Sequence, residues 1–268
     1  MTVPRWTTLL TDFGSRDPFV GIMKGVIAGL APHARVIDLS HHVAPQNVEQ
    51  GGWLWAQAVP FFPVETIHVA VVDPGVGSAR DILVAQTSDA FFIAPDNGIL
   101  GYVVDRAALR ALVSLRDPRY FLAPVSETFH GRDIFAPVAA HISRGVPLRS
   151  FGPPKEDPVW LEPPAATRRP AGGSAGAEEV IGRIMDIDRF GNCQTNVRLS
   201  PGDPVLEIRV GGQVLAGLSR CYTDVPVGDP LALVGSSGFL EVSVSQGRAD
   251  EQLRLAPGLP VTVLLGAR

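Results

Sequence analysis

The succession of patterns along this chain predicts an α/β N-terminal domain with a mixed central sheet, followed by a smaller all-β, barrel-like C-terminal domain. Three observations carry the prediction. Residues 1 to about 160 alternate short apolar, strand-like runs with longer helix-like ones. A stretch crowded with proline, glycine and alanine, including GPPKEDP and EPPAATRRPAGGSAG, then interrupts the periodicity. From Glu178 onward the apolar runs are short and β-like. The expected division is an α/β domain over 1–160, a Pro/Gly-rich linker over 161–177 and a β-barrel domain over 178–268.

Each element has its own signal. Thr7 to Thr11 reads as the first strand, and Asp17 with Pro18 as the N-cap and first position of a helix through Ile22, Val26 and Leu30. Arg35 to Leu39 is a second strand, Val48 to Val59 a second helix and Thr66 to Val72 a third strand. Ile82 to Gln86 and Ala90 to Ala94 flank the turn residues Thr87, Ser88 and Asp89, so a hairpin is expected and the sheet is mixed rather than purely parallel. An amphipathic helix runs through Ala136, Ala140 and Ile142. In the second domain, Gly211-Gly212 between Val205–Val210 and Gln213–Leu218 is a two-residue hairpin signature. No repeat at solenoid periods is evident.

Composition narrows the function classes. The chain has 268 residues, 46% of them hydrophobic, enough for a large core. Its formal charge of −4, with 23 basic and 27 acidic residues and no basic run, gives a nucleic-acid partner no electrostatic support. No apolar stretch approaches the roughly 20 residues of a membrane span. The opening MTVPRWTTLL lacks the regions of a signal peptide, so the cytoplasm is the expected compartment. Cys193 and Cys221 are too few for a disulfide framework or a zinc site, and His41 and His42 are adjacent rather than on one helical face, so no metal is expected.

The most informative stretch is VVDPGVGSAR, residues 71–80, in which an apolar strand ends in Asp73 and breaks into Pro74, Gly75 and Gly77. Arg80 lies beyond the turn, where the next apolar run begins. Two readings fit, a turn-stabilising ion pair or a reactive cluster. His130, in TFHGRDIF at the start of a helix, favours the second. Strand ends and loops are where open α/β sheets build ligand sites. Asp12 and Asp17 share the loop after the first strand, suited to a ribose diol or an ammonium group, with helix capping the competing role for Asp17. Asp188 and Asn192 in DRFGN pair an anion with an amide, or form a plain β-turn. Residues 235–247, GSSGFLEVSVSQG, offer hydroxyls and backbone N–H groups for a carboxylate, or a simple loop.

TDFG with Asp17, VVDPGVGSAR, APDNG at 94–98, TFHGRDIFAP, DRFGN and SSGFLEV occur in one order along most of the chain. In this it resembles the S-adenosyl-L-methionine (SAM) hydroxide adenosyltransferases, the hydrolase branch of the family that also holds the fluorinase and chlorinase. The resemblance implies an N-terminal α/β domain, a C-terminal β-barrel and a homotrimer with active sites between subunits. It implies hydrolysis of SAM by water or hydroxide at C5′, giving adenosine and L-methionine, with SAM as substrate and no cofactor. Asp73, Arg80 and His130 are then the catalytic, water-binding triad. Asp12 would hold the ribose hydroxyls, Asp17 and Asp188 the methionine ammonium, Asn192 the adenine edge and Ser236 the methionine carboxylate.

Departures from the halogenase pattern bear on the nucleophile. Halogenases carry a tyrosine where this chain has Asp73, and a tyrosine and a serine where it has His130 and Gly131. A carboxylate at the nucleophile site repels halide, which makes a halide-dependent 5′-halo-5′-deoxyadenosine synthase the weaker reading. Ser237 stands where fluorinases have an arginine, Phe19 replaces a serine and Gln46 an aromatic. A non-catalytic adenosine or SAM-binding module is the alternative from another class.

Overall fold

The computed structural model describes residues 5–172, 176–200 and 202–267. The chain divides into two compact units, Met1–Pro163 and Pro164–Arg268. In the first, strands β1 (Trp6–Thr11), β2 (Arg35–Ser40), β3 (Thr66–Val71), β4 (Ile82–Gln86), β5 (Ala90–Pro95) and β6 (Ala111–Ser114) form one sheet in the order β2-β1-β3-β5-β4-β6. β1 is parallel to β2 and β3, and β3 to β5, whereas β4 runs antiparallel to both β5 and β6. This is the mixed sheet that the hairpin signal predicts.

Helices α1 (Phe19–Leu30), α2 (Val48–Ala58) and α3 (Ala136–Ser143) explain why the strands read as unbroken apolar runs. Leu9, Val69, Val71, Val84 and Ile93 enter one core with Met23 and Ile27 of α1 and Val138 of α3. Their neighbours Leu10, Ala70, Val72, Leu83 and Phe92 enter a second core with Trp55 of α2. Successive strand residues point to opposite faces, so burial of both faces requires apolar residues at every position.

Several local expectations change. Asp17 does not cap α1: Pro18 is the cap residue, without a side-chain bond, and its carbonyl accepts from Ile22 N at 2.9 Å. The proline φ of −77° would suit a first helical position, but its ψ of +3° is not helical, so the helix starts one residue later than predicted. The buried stripe is Val20, Met23 and Ile27, leaving Ile22 38% exposed. α2 is capped by Asn47, whose side chain accepts from Gln50 N at 3.0 Å. Strand β6 was not signalled, because four residues after a charged turn carry too short a pattern.

In the second unit, β7 (Thr167–Pro170), β8 (Glu178–Ile187), β9 (Cys193–Arg198), β10 (Val205–Val210), β11 (Gln213–Ala216), β12 (Pro230–Val234), β13 (Phe239–Val244) and β14 (Pro260–Leu265) pair antiparallel throughout. The order is β11-β10-β14-β8-β9-β13-β12, with β7 on β8. Just past β11, Ser219 N donates to Ala232 O of β12 at 2.8 Å, which joins the two ends of this order into a nearly closed barrel. Gly211 and Gly212 both have positive φ, +55° and +80°, the left-handed pair that a tight β10–β11 hairpin requires.

Strand β7 falls inside the stretch 161–177 read as linker. It has no apolar alternation to announce it, and it is exposed along its length. Pairing with β8 is accompanied by ion pairs Arg168–Glu178 (3.3 Å) and Arg169–Glu179 (2.7 Å). Residues 173–175 of that stretch lie outside the described residues. Both cysteines are free, Cys193 buried and Cys221 exposed. Among the described residues no helix is long and apolar enough to cross a membrane.

Candidate active site

The chain leaves β1 through α1 to β2 on one side and returns through α2 to β3 on the other side of β1. The carboxyl ends of β1 and β3 therefore flank a topological switch point, where open α/β sheets leave a crevice. Asp12 follows β1 directly, and Asp73 follows β3 by two residues. A cavity of about 330 Å³ opens there, lined by Asp12, Phe13, Phe19, Asp73, Phe129 and His130 among others. Its size is at the lower end of small-molecule sites, roughly 300–1,000 Å³.

Asp73 and Arg80 form a fork. Arg80 Nε donates to Asp73 Oδ1 at 2.9 Å and Nη2 donates to Oδ2. The turn between them is held by Val76 N to Asp73 O (3.2 Å) and Ser78 Oγ to Gly75 O (2.7 Å). Arg80 Nη2 also lies 3.0 Å from His130 Nδ1. Arginine only donates, so Nδ1 accepts, and the neutral imidazole carries its proton on Nε2. Burial, with the Arg80 charge adding to it, holds the His130 pKa below the ordinary imidazole range, against the pull of Asp73 and Glu127. Arg80 does not line the cavity; it bridges Asp73 and His130 from behind.

The loop bringing His130 to this fork is fixed by a buried acid. His130 precedes a single π-helical turn, Gly131–Phe135, that leads into α3. Asp133, fully buried, accepts from Ser126 N and Oγ, both at 2.8 Å, and from Arg132 Nε at 2.6 Å. Burial pushes the Asp133 carboxyl up, but these bonds outweigh it and hold it below the usual range. Ser126 Oγ in turn accepts from Phe129 N at 3.1 Å. The two loops meet where Gly77 faces the Glu127 carbonyl.

On the other wall, Asp12 Oδ2 accepts from Gln46 N at 2.8 Å, and Gln46 takes a left-handed φ of +65°. Thr11 Oγ1 accepts from Phe13 N (3.2 Å) and contacts His41 Nδ1 (2.9 Å), so both histidine-side and strand-side chains secure this loop. Phe13, Phe19 and Phe129 pack edge to face, with ring centroids 5.8, 5.9 and 5.1 Å apart. Sequence reading did not assign this aromatic wall a role, although Phe13 and Phe129 sit inside the TDFG and TFHG strings.

The structure thus brings Asp12, Asp73, Arg80 and His130 together. Asp17 is exposed and does not line the cavity. In the second unit, Asp188 Oδ1 accepts from Phe190 N (2.8 Å) and Asn192 N (2.9 Å), while Oδ2 accepts from Asn192 Nδ2 (2.9 Å). These two residues close a tight turn on each other, with Gly191 at φ +85°. Ser236 is exposed at the centre of the β12–β13 turn, which is closed by Gly238 N to Gly235 O at 2.9 Å.

Fold and site together define a two-domain enzyme, an α/β unit with a polar cluster at its switch point followed by an antiparallel barrel. Two family models match: the SAM hydroxide adenosyltransferase N-terminal domain over residues 7–152 and the corresponding C-terminal domain over 182–262. The chain belongs to the SAM hydroxide adenosyltransferase family. A protein named (R)-S-adenosyl-L-methionine hydrolase from Salinispora tropica is 40% identical over 97% of this chain and 98% of its own length. One of the same name from Thermus thermophilus is 38% identical, covering 95% and 98%. A fluorinase from Actinoplanes sp. is 24% identical over 95% of each chain. A solved structure, an uncharacterized conserved protein from Thermotoga maritima, superposes with a TM-score of 0.85 at 33% identity, covering 96% and 99%.

Proposed function

We propose that this protein hydrolyses SAM to adenosine and L-methionine by in-line attack of water at C5′. The observation that carries the reading is that Asp73 and His130 line one cavity while Arg80 locks them together from behind. Two hydrolases of 38–40% identity over nearly their full length support the same substrate.

The leaving group is a neutral thioether, so no general acid is called for and the reading invokes no cofactor. The work is to place the nucleophile and take its proton. Of the three polar residues, Arg80 is donor-only and His130 has its acceptor nitrogen occupied by Arg80. Asp73 alone keeps acceptor capacity, since each carboxylate oxygen has a lone pair beyond the one Arg80 uses. Water then donates to Asp73 and accepts from His130 Nε2–H. As the C5′–O bond forms, the C5′–S pair leaves on sulfur as the thioether of methionine. The proton released from the attacking oxygen passes to Asp73. Asp12 is assigned to the ribose diol, Asp17 and Asp188 to the ammonium, Asn192 to the adenine and Ser236 to the carboxylate, in a homotrimer.

The test is to incubate the protein with SAM, with and without chloride or fluoride, and to identify the nucleoside by chromatography and mass. Adenosine formed without halide, and lost in Asp73→Ala while SAM binding persists, is the expected result. A 5′-halo nucleoside would move the protein to the halogenases. Bound but unchanged SAM would make it a binding module. Loss of specific activity on dilution, tracked by the mass of the assembly, tests the trimer.

A further inference from the structure

The loop that carries Asp73 and Arg80 leaves the sheet at Val72 and re-enters it at Asp81, and both stems are gripped by one turn. The paired register of β3 with β5 ends at Val69 and Ile93, so the fully buried Val72 carbonyl has no strand partner on that side. Asn97 Nδ2 donates to it at 2.9 Å. On the other stem, Asp96 N donates to the Asp81 carbonyl at 2.9 Å, extending the β4–β5 ladder by one residue. Lys155 Nζ ties the Asp81 stem to the turn, 3.1 Å from Asp81 Oδ2 and 3.0 Å from Asp96 Oδ2. The turn itself is rigid: Asn97 N donates to Pro95 O (2.9 Å), Asn97 Oδ1 accepts from Ile99 N (3.3 Å), and Gly98 adopts φ +95°.

We infer that the Asp96–Asn97 turn is a clamp that sets the spacing of the two stems, and that Asn97 is a positioning residue for Asp73. A buried carbonyl without a partner is unfavourable, so the Asn97 amide fixes where β3 ends and hence the direction in which Asp73 emerges. The APDNG string thereby acquires a role without touching substrate. This inference rests on the proposed hydrolysis for its kinetic consequence but not for its geometry.

Two variants test it. Asn97→Ala deletes the amide, and Asn97→Asp keeps its shape while presenting an acceptor to the Val72 carbonyl. Both are expected to lower kcat at least tenfold, since displacement of a reacting group by about 1 Å costs up to about 10²-fold. KM and the dissociation constant for SAM should stay within about threefold. A second readout needs no turnover: the Arg80 Nε–H proton, bonded to Asp73, gives a protected NMR signal that should exchange faster in Asn97→Asp. Wild-type kcat or wild-type protection in Asn97→Asp would overturn the clamp, because a shape-only role tolerates that change. If Asn97→Ala does not fold, Asn97→Asp alone decides. A wild-type protein inert toward SAM would sink the proposed function, and the Arg80 signal would still decide the clamp.

Discussion

Replacing Gly77 by alanine tests whether the active site depends on the contact between its two loops. Gly77 sits at φ +77°, where a Cβ is disfavoured by about 1–2 kcal/mol. In addition, the new Cβ would come closer than 3.0 Å to the Glu127 carbonyl oxygen, a backbone atom that cannot rotate away. Relieving that overlap shifts the Asp73–Arg80 loop against the His130 loop by roughly 0.5–1 Å, which reaches the range where rates fall up to about 10²-fold. Gly145→Ala is the control, because Gly145 has φ +89° but nothing within 4 Å of its Cβ. Both variants should lose about 2–8 °C in Tm on the backbone term alone, for a domain of this size. Only Gly77→Ala should also lose at least tenfold in the rate of adenosine release. If calorimetry shows equal losses while the Gly77→Ala rate stays within twofold of wild type, the loop contact does not hold the site.

The remaining predictions concern titration and thiol reactivity. The His130 pKa is depressed, so in an NMR titration its ring should protonate only below about pH 6.5, and kcat should fall with it because the imidazolium turns a donor toward Arg80; a midpoint above that value refutes the tautomer argument. His68 is buried between Phe62 and Phe92, and burial lowers its pKa to about 4. The unfolded chain therefore takes up this proton first, and stability is full above about pH 6.5 and falls as pH drops toward the folded value, by about 3 kcal/mol at most. Denaturation across that window should show a shallower slope in His68→Phe, and an unchanged slope would refute it. Burial pushes the Cys193 thiol up to about 12, so an aromatic disulfide reagent at pH 8 should label Cys221 alone until the protein is denatured.

What could be read from the sequence was local chemistry at element ends. Asp73 and Arg80 form an actual fork because a proline–glycine turn following a buried strand leaves them little choice of direction. Asp12 was legible for the same reason. The arrival of His130 was not, since it depends on Ser126, Asp133 and the bare Cα of Gly77, none of which has a distinctive spacing relative to it. The Asp17-Pro18 pair shows the limit of capping rules: the same dipeptide fits a helix starting at Pro18 or at Phe19, and the non-helical ψ of Pro18 that separates them has no signal in the sequence. Strand β7 was invisible because it is held by backbone pairing with β8 and presents no apolar face.

The proposed choice of water over halide follows from the polarity of the Arg80 bridge. Because the guanidinium must donate at every contact, it fills the acceptor nitrogen of His130 and one lone pair on each oxygen of Asp73. This cluster then offers the cavity one donor, His130 Nε2–H, beside one acceptor, the Asp73 carboxylate. Water matches that pair, since it accepts from the imidazole and donates to the carboxylate at once. A halide ion can only accept, so at this cluster it would use the imidazole donor while lying against a fixed negative charge in a partly desolvated site, where like-charge contacts are strongly unfavourable. Replacing Asp73 by asparagine reverses the sign of this argument, because the amide can present N–H to an anion. Turnover with water should fall by about 10²–10⁴-fold on loss of the proton acceptor, while the apparent affinity for chloride, read as protection of Tm by added salt against a sulfate control, should rise. Chloride protection that is equal in the two proteins would show that the Asp73 charge does not govern which nucleophile the cavity accepts.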